Sequence, residues 1–324
     1  MNFNKNLHLV VILFLALWLL GCGQENRNAE PDEQQNQQDP VEESVVKYHN
    51  PVALMEAEEL LAITNLKDYA LIDFRKSEEF LEGHIPGAMH IATSEIKDPS
   101  SAVEGMKLKK SAVEKLLQNK GVSKGTTFII YDAKMEVDAA RLWWVLKING
   151  AENIRLLNGG IHQYIEAGGT LVMDIVDRTP GDFTFPDSNN GTNLEIQKDK
   201  VLSAVNDIGW TIVDARSDAE YNGEVLSRNC KKKGRIPGSV SLDWSYSVNY
   251  HDDQKFKSAQ ELQDLFSSKG IEKEKRVITY CRSGVRSAHT TFVLTELLGY
   301  RNVFNYDGSW LEWSSIDGLP IEVD

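Results

Sequence analysis

One cysteine carries the clearest chemical signal in the sequence. Cys281 follows the β-prone run 276–280 and precedes a helix-like run that starts at Ser287. A strand that ends in a thiol and turns into a helix start surrounds the sulfur with backbone N–H groups, which favour anions and favour thiolate over thiol. Arg282 and Arg286 lie in the same loop and add positive charge. The pattern predicts a nucleophilic thiolate that acts on a small anion bearing sulfur or oxygen.

The length of this loop argues against phosphoryl chemistry. A cysteine-phosphatase cradle places five residues between its cysteine and an arginine that binds phosphate bidentately. In this chain Ser287 stands at that position and the arginine comes one residue early. Ser283, Gly284 and Val285 are predicted substrate-binding positions, the first two through backbone N–H groups.

Composition predicts a globular protein with room for two domains. The chain has 324 residues, of which 41% are hydrophobic and 26% are charged. A formal charge of −13 at pH 7 argues against nucleic acid as a partner, because phosphate backbones bind basic surfaces. An anion site on this protein must therefore be a local island of positive charge, such as the Cys281 loop.

The N-terminus predicts export and lipid anchoring. The apolar run 7–20 is too short for an ordinary membrane span and is followed by Gly21 and Cys22. This ending resembles the lipobox of bacterial lipoproteins, in which the cysteine is lipidated. We expect a signal peptide over 1–22 and a disordered tether over 23–50, with Cys22 anchoring the protein on the extracytoplasmic side of the bacterial cell membrane. A simple signal peptide or anchor with an incidental cysteine is the alternative.

The rest of the chain repeats itself once. The segments 71–75, 84–88 and 129–132 match 212–216, 235–239 and 278–281. Cys281 lies 149 positions after Asp132, whereas Asp214 lies only 141 positions after Asp73, so the second copy carries an insertion. Two homologous domains follow from this repeat.

Each copy alternates strand-like runs with amphipathic helical runs, which indicates an α/β fold with a parallel sheet covered by helices on both faces. The strand candidates are 70–73, 127–131, 154–156, 211–214, 277–280 and 303–305. We place the first domain at 51–175, a linker at 176–195 and the second domain at 196–324. Active sites of such sheets lie beyond the carboxyl ends of the strands, which is where Cys281 falls.

These motifs together resemble the tandem-domain rhodaneses, a family of thiosulfate and 3-mercaptopyruvate sulfurtransferases. The resemblance covers roughly Pro51 to Asp324 and rests on two Asp-x-Arg elements, two Ile-Pro-Gly motifs and the Cys281 loop. It implies a catalytic second domain and an inactive first domain, because Asp132 replaces the cysteine there and a carboxylate cannot accept sulfane sulfur. It also implies that Cys281 takes sulfur as a persulfide from a small anionic donor and passes it to cyanide or a thiol. No metal or organic cofactor is implied.

The choice of donor follows from the residues beside the cysteine. Arg282 matches the thiosulfate enzymes, while Ser283 stands where they carry a lysine, and Arg286 can restore that charge. Arg216 matches the family arginine that binds the donor, with an ion pair to Asp214 or Glu220 as the alternative. Thiosulfate is therefore the favoured donor. A 3-mercaptopyruvate sulfurtransferase, a persulfide carrier or sensor with little turnover, and an anion-binding module without chemistry remain alternatives.

Cys230 is the other thiol of the second copy. It lies in the insertion, beside the lysine run 231–233. Either it is incidental, or it approaches Cys281 to form a protective disulfide or to receive sulfur. With Cys22 acylated only two thiols remain, so a framework of structural disulfides is not expected.

Overall fold

The computed structural model of the protein describes residues 46–187 and 193–324, all of which belong to one compact unit. The predicted signal peptide, the lipidation of Cys22 and most of the predicted tether lie outside the described residues, as does the part of the predicted linker at 188–192. Within the described ranges, no helix is both long enough and apolar enough to traverse a membrane.

The first half forms a five-stranded sheet. Its strands are β1 (Leu54–Met55), β2 (Tyr69–Asp73), β3 (Met89–His90), β4 (Thr127–Tyr131) and β5 (Ile154–Leu157), in the order β1-β5-β4-β2-β3. Its helices are α1 (Ala57–Leu61), α2 (Ser77–Glu82), α3 (Lys110–Asn119), α4 (Val137–Ile148) and α5 (Gly160–Glu166).

The second half repeats this arrangement. Its strands are β6 (Glu195–Ile196), β7 (Trp210–Asp214), β8 (Val240–Ser241), β9 (Arg276–Tyr280) and β10 (Val303–Tyr306), in the order β6-β10-β9-β7-β8. Its helices are α6 (Lys198–Ala204), α7 (Asp218–Tyr221), α8 (Ala259–Ser268), α9 (Arg286–Phe292) and α10 (Ser309–Trp313), and α9 continues into a π-helical turn, Val293–Leu297.

All strand pairs in both sheets are parallel, which confirms the predicted α/β fold with two homologous domains. The six predicted strands appear as β2, β4, β5, β7, β9 and β10. The four strands that the sequence did not reveal have two residues each. A strand of two residues is too short to show a periodic pattern of side chains in the sequence.

The two halves pack together through α4 and α9. Ten of the twelve residues of α4 are buried, because the helix covers its own sheet with one side and contacts α9 with the other. The rings of Trp143 and Phe292 meet edge to face with centroids 5.0 Å apart. One continuous hydrophobic core therefore includes residues of both halves.

The last residues of the predicted tether contact the second half. The Tyr48 hydroxyl donates to the Lys257 carbonyl over 2.6 Å, and the Asn50 amide donates to the Glu296 carboxylate over 2.6 Å. The chain thus lies across the second domain before it enters the first sheet.

Candidate active site

Cys281 lies directly after β9, at the carboxyl end of a strand that has β7 and β10 as neighbours. Only 1% of the residue is exposed, yet it lines a cavity of about 300 Å³. The second domain lines this cavity with Cys281, Arg282, Ser283, Val285 and Arg286, and the first domain with Phe74, Thr93, Ile96, Lys97, Lys134, Asp138 and Arg141. The cavity lies between the two domains, so both build its walls.

The Ser309 hydroxyl holds the loop that follows Cys281 through hydrogen bonds with its backbone. The N–H groups of Cys281 and Gly284 donate to Ser309 Oγ over 3.2 Å and 3.0 Å. Ser309 Oγ in turn donates to the Tyr306 carbonyl over 2.7 Å. The loop therefore closes around the start of α10, and Gly284 adopts a φ of +75°, a conformation that glycine tolerates best.

The surroundings of Cys281 favour its thiolate. Burial alone would raise the pKa of the Cys281 thiol, but the positive charge of Arg286, the Ser287 hydroxyl and the N–H groups of Ser287 and Ser283 outweigh burial and lower it. The Ser287 hydroxyl lies 3.5 Å from Sγ. A buried thiol with a lowered pKa beside an open cavity can act as a nucleophile.

Arg286 is not a free cation. It binds Glu220 with both terminal nitrogens, at 2.6 Å and 3.2 Å. Burial would raise the pKa of Glu220, but the hydrogen bond and the charge of Arg286 prevail and lower it to about 2. Arg286 still lowers the pKa of Cys281. For a bound anion, however, the Glu220 carboxylate offsets part of the positive charge of Arg286.

Family comparison agrees with this geometry. The family model described as a rhodanese-like domain matches residues 56–167 and 197–316, one match for each sheet. The chain belongs to the rhodanese-like family.

Curated relatives of this rhodanese-like protein carry sulfur-transfer names. It is 36% identical over 248 residues to the sulfur carrier protein TtuD of Thermus thermophilus, covering 74% of this chain and 85% of the relative. It is also 36% identical over 257 residues to a protein of Haloferax volcanii named as a thiosulfate sulfurtransferase by inference, covering 76% of this chain and 85% of that protein.

Among solved structures, the chain resembles an EanB variant with ergothioneine covalently linked to a cysteine persulfide. The TM-score is 0.73 at 25% identity, over 84% of this chain and 70% of that one.

Arg216 departs from its predicted place in the cleft of this rhodanese-like protein. Its side chain is fully buried and does not line the cavity. Nε donates to both carboxylate oxygens of Asp214 at 2.9 Å and 3.0 Å, and Nη2 donates to the Gly234 carbonyl at 2.8 Å. The guanidinium also lies 4.7 Å from the centre of the Trp310 ring. The structure thus shows Arg216 in the ion pair with Asp214, which the sequence analysis gave as the alternative to substrate binding. Arg216 could contact a sulfur donor only if this buried pair opened.

Asp132 occupies the equivalent of the Cys281 position in the first domain. One carboxylate oxygen accepts the N–H groups of Lys134 and Glu136 at 2.8 Å and 3.1 Å, and the other accepts those of Asp138 and Ala139, both at 2.9 Å. Burial, with the nearby charge of Asp138, raises the pKa of Asp132 to about 6 in spite of these bonds. The first domain therefore fills its own N–H cradle with its own side chain.

Cys230 is buried in the second core, among Trp310 and Trp313. Both it and Cys281 are free thiols, so no disulfide joins them in this structure. Burial raises the pKa of Cys230, the opposite of the direction at Cys281. Its redox role stays a hypothesis.

The sequence analysis placed none of the seven cavity residues of the first domain in the site. Lys97 lies just after the short 3₁₀ helix Thr93–Ile96, and nothing in its local sequence distinguishes it. Arg141 did leave a signal, because it is the one charged residue in the run 139–146. In the ranges that the structure describes, no group of three or more His, Cys, Asp or Glu side chains is arranged to hold a metal ion.

Proposed function

We propose that this rhodanese-like protein is a sulfurtransferase that moves sulfane sulfur from thiosulfate, or a similar anionic donor, to cyanide or a thiol. The observation that carries the proposal is the Cys281 thiol of lowered pKa, which faces a cavity of about 300 Å³ with basic side chains in its walls. Sulfur transfer is also what the names of the relatives describe.

The reaction has two half-reactions on one sulfur atom. In the first, the Cys281 thiolate forms a bond to the outer sulfur of thiosulfate, the donor's S–S bond breaks, and sulfite leaves with the electron pair. In the second, cyanide or an acceptor thiolate bonds to the terminal sulfur of the persulfide. The S–S bond of the persulfide breaks, and Cys281 leaves with the electron pair as a thiolate. The N–H groups of Ser283 and Ser287 stabilise the negative charge on the cysteine sulfur in both.

The charges of the cavity favour a dianionic donor. Three of its cations are already paired: Lys134 with Asp138 at 2.6 Å, Arg141 with Asp307 at 2.7 Å, and Arg286 with Glu220 at 2.6 Å. Lys97 of the first domain and Arg282 of the second form no ion pair within the part of the chain described here. Thiosulfate carries two negative charges and can use both, whereas 3-mercaptopyruvate offers a single carboxylate.

The two unpaired cations act electrostatically on the same carboxylate. The pKa of Glu104 is lowered chiefly by a hydrogen bond from Asn229 and then by the charges of Arg282, Arg228 and Lys97. Three cations therefore act on one exposed carboxylate, a local concentration of positive charge on a chain whose formal charge is −13.

Steady-state kinetics test this proposal. The full chain should form thiocyanate from thiosulfate and cyanide with a higher kcat/KM than it shows with 3-mercaptopyruvate in place of thiosulfate. Peptide mass spectrometry should find one added sulfur atom on Cys281, and Cys281→Ser should abolish both signals. Full turnover by Cys281→Ser would reject the mechanism.

A persulfide carrier is the second candidate, favoured by the name of the Thermus relative. In that case thiosulfate loads Cys281 with sulfur, but cyanide and small thiols remove it slowly. The ratio of loading rate to turnover rate separates the two candidates. An enzyme should load sulfur and turn over at similar rates, whereas a carrier should load sulfur much faster than it turns over.

We also propose that Cys22 is lipidated and holds the protein at the extracytoplasmic side of a bacterial membrane. Support comes from the sequence 7–22 alone. Labelling of cells with an alkyne fatty acid should mark the wild-type chain and leave Cys22→Ser unmarked, and equal labelling of both would contradict the anchor.

A further inference from the structure

Arg141 belongs to the first domain, but its guanidinium contacts the loop that follows Cys281. It lies on α4, is 4% exposed and lines the cavity. Its Nη2 lies 2.7 Å from Asp307 Oδ1 in the second domain, and its Nη1 donates to the Gly284 carbonyl over 3.3 Å. One side chain of the non-catalytic domain thus contacts both the catalytic loop and the turn after β10.

Further bonds from the first domain complete this contact. Asp307 Oδ2 accepts the backbone N–H of Lys107 over 3.0 Å, and Arg141 Nη2 donates to the Gly105 carbonyl over 3.0 Å. The first domain therefore contacts both oxygens of Asp307, Oδ2 through a hydrogen bond and Oδ1 through the ion pair with Arg141, in which Oδ1 accepts no hydrogen bond from the described residues. We call Arg141, Asp307, Lys107 and Gly105 the interdomain clamp.

The clamp sets the direction of one peptide group in the catalytic loop. The Gly284 carbonyl accepts from Arg141 and also from Asn305 Nδ2, the latter over 3.1 Å. The C=O and N–H of a trans peptide point in opposite directions, so a carbonyl held toward Arg141 also directs the N–H of Val285. Glycine itself adds little restraint, which leaves the orientation to these two donors.

The loop packs tightly against the ion pair at Gly284. A Cβ on this residue would lie 2.8 Å from Asp307 Oδ1 and 2.9 Å from Arg141 Nη1. The loop backbone therefore rests directly on the ion pair, so that a shift of either charged group is passed to the residues between Cys281 and Arg286.

The clamp also controls charge at the site. Asp307 is 2% exposed and, without Arg141, would leave a buried carboxylate beside the catalytic loop. Such a charge raises the pKa of a nearby thiol and repels an anionic donor.

We infer that Arg141 is a positioning residue for sulfur transfer, through which the non-catalytic domain orients the Cys281 loop and neutralises Asp307. The inference rests on the proposed function, since Cys281 is the reacting group. It assigns the first domain a part in the reaction that its own Asp132 site cannot perform.

The test compares Arg141→Met with Lys147→Met in the full chain. Lys147 lies on the same helix and pairs with Glu296 across the same interface, at 2.9 Å, but does not line the cavity. Two quantities are measured for each: kcat for thiocyanate formation, and the pH dependence of Cys281 alkylation by iodoacetamide, resolved from Cys22 and Cys230 by peptide mass spectrometry. Arg141→Met should lower kcat by about 10- to 100-fold and shift the alkylation profile to higher pH, whereas Lys147→Met should change neither.

A double variant separates orientation from charge. Arg141→Met with Asp307→Asn removes both charges and leaves no unpaired carboxylate, so it should be more stable than the single variant. Its alkylation profile should return toward the wild type while kcat stays low. Arg141→Lys, which keeps the charge but not the two-pronged reach, should fall between the wild type and Arg141→Met in kcat.

A wild-type kcat in the double variant, or an unshifted alkylation profile in a folded Arg141→Met, would overturn the positioning role. Alkylation requires no sulfur donor. If the wild-type chain takes up no sulfur, the proposed function is wrong. The alkylation profiles would still test whether Arg141 affects the Cys281 thiol.

Discussion

At the scale of single residues, the reactivity of Cys281 is a balance of opposing effects on one sulfur atom. Burial disfavours the thiolate, while Arg286, the Ser287 hydroxyl and two backbone N–H groups favour it and prevail. Arg286 is itself oriented by Glu220. The pKa of the Cys281 thiol therefore depends on a chain of three residues, of which Cys281 follows β9, Arg286 begins α9 and Glu220 lies on α7.

Arg286→Gln should raise the pKa of the Cys281 thiol. Arg286 is the largest of the influences that lower this pKa, and its loss also leaves Glu220 unpaired nearby. Alkylation of wild-type Cys281 should rise with pH through a pKa below 9.0, the ordinary value, and the variant profile should move up by about 1 to 3 pH units. The matched control is Arg301→Gln, an exposed arginine that precedes β10 at the other end of the sheet. Identical profiles for the three proteins would exclude Arg286 as the source of the thiolate.

At the scale of elements, the same strand–loop–helix unit occurs twice with opposite outcomes. In β4–α4 the Asp132 carboxylate accepts four N–H groups, two from its own loop and two from the first turn of α4, whereas in β9–α9 the cradle faces an open cavity. The offset of 149 places Val137 where Arg286 stands in the second unit. The first unit therefore lacks both the thiol and the cation.

Asp132→Cys should not create a second sulfur-accepting site. Without an arginine at position 137, only the backbone N–H groups oppose the effect of burial, so the new thiol keeps a high pKa. In a Cys281→Ser background, peptide mass spectrometry after incubation with thiosulfate should find no added sulfur at position 132. The unmodified chain serves as the positive control, and uptake at position 132 would show that the N–H cradle suffices without the cation.

The helix after the catalytic loop should also make the fold sensitive to acid. His289 of α9 is buried between Phe256 and Trp244, with ring centroids at 4.9 Å and 5.1 Å, and burial lowers its pKa to about 3. The unfolded chain binds a proton here below about pH 6.5, but the folded chain does so only below about 3, so the free energy of unfolding falls as pH drops through this window. Denaturant unfolding at pH 7 and pH 4.5 should show a smaller loss for His289→Leu than for the wild type. Exposed His251→Leu is the control, and equal losses in all three would contradict the assignment.

At the scale of the whole molecule, the catalytic cavity belongs to neither domain alone. The first domain supplies seven of its lining residues and the second supplies five. The core is continuous across α4 and α9, so the two domains pack directly against each other. The first domain, which has Asp132 where the second has Cys281, therefore forms one wall of the cavity.

Lys97→Met should weaken the binding of thiosulfate from the far side of this cavity. Removing one exposed, unpaired cation is expected to raise KM by about 2- to 5-fold with little change in kcat, and the difference should shrink at high salt. Lys124→Met, on an exposed part of the same domain, is the matched control. A KM that stays at the wild-type value at low salt would remove Lys97 from donor binding.

The sequence by itself predicted the α/β fold, which the structure confirms, and singled out Cys281 as the group that we propose reacts. The α/β repeat, the six longer strands, the position of Cys281 at a strand end and its replacement by Asp132 are all visible in local patterns and in a constant offset. Such features depend on neighbouring residues and on the periodicity of side chains, which a linear sequence preserves.

Only the tertiary structure decided which charges are available to a ligand. Arg216 forms a buried ion pair with Asp214, and Arg286 forms an ion pair with Glu220. Lys97 and Arg141 line the cavity from the first domain. Whether a cation is free depends on distances to residues far away in the chain, such as the 2.7 Å between Arg141 and Asp307. Those distances are set when the two sheets pack against each other, and no local pattern contains them.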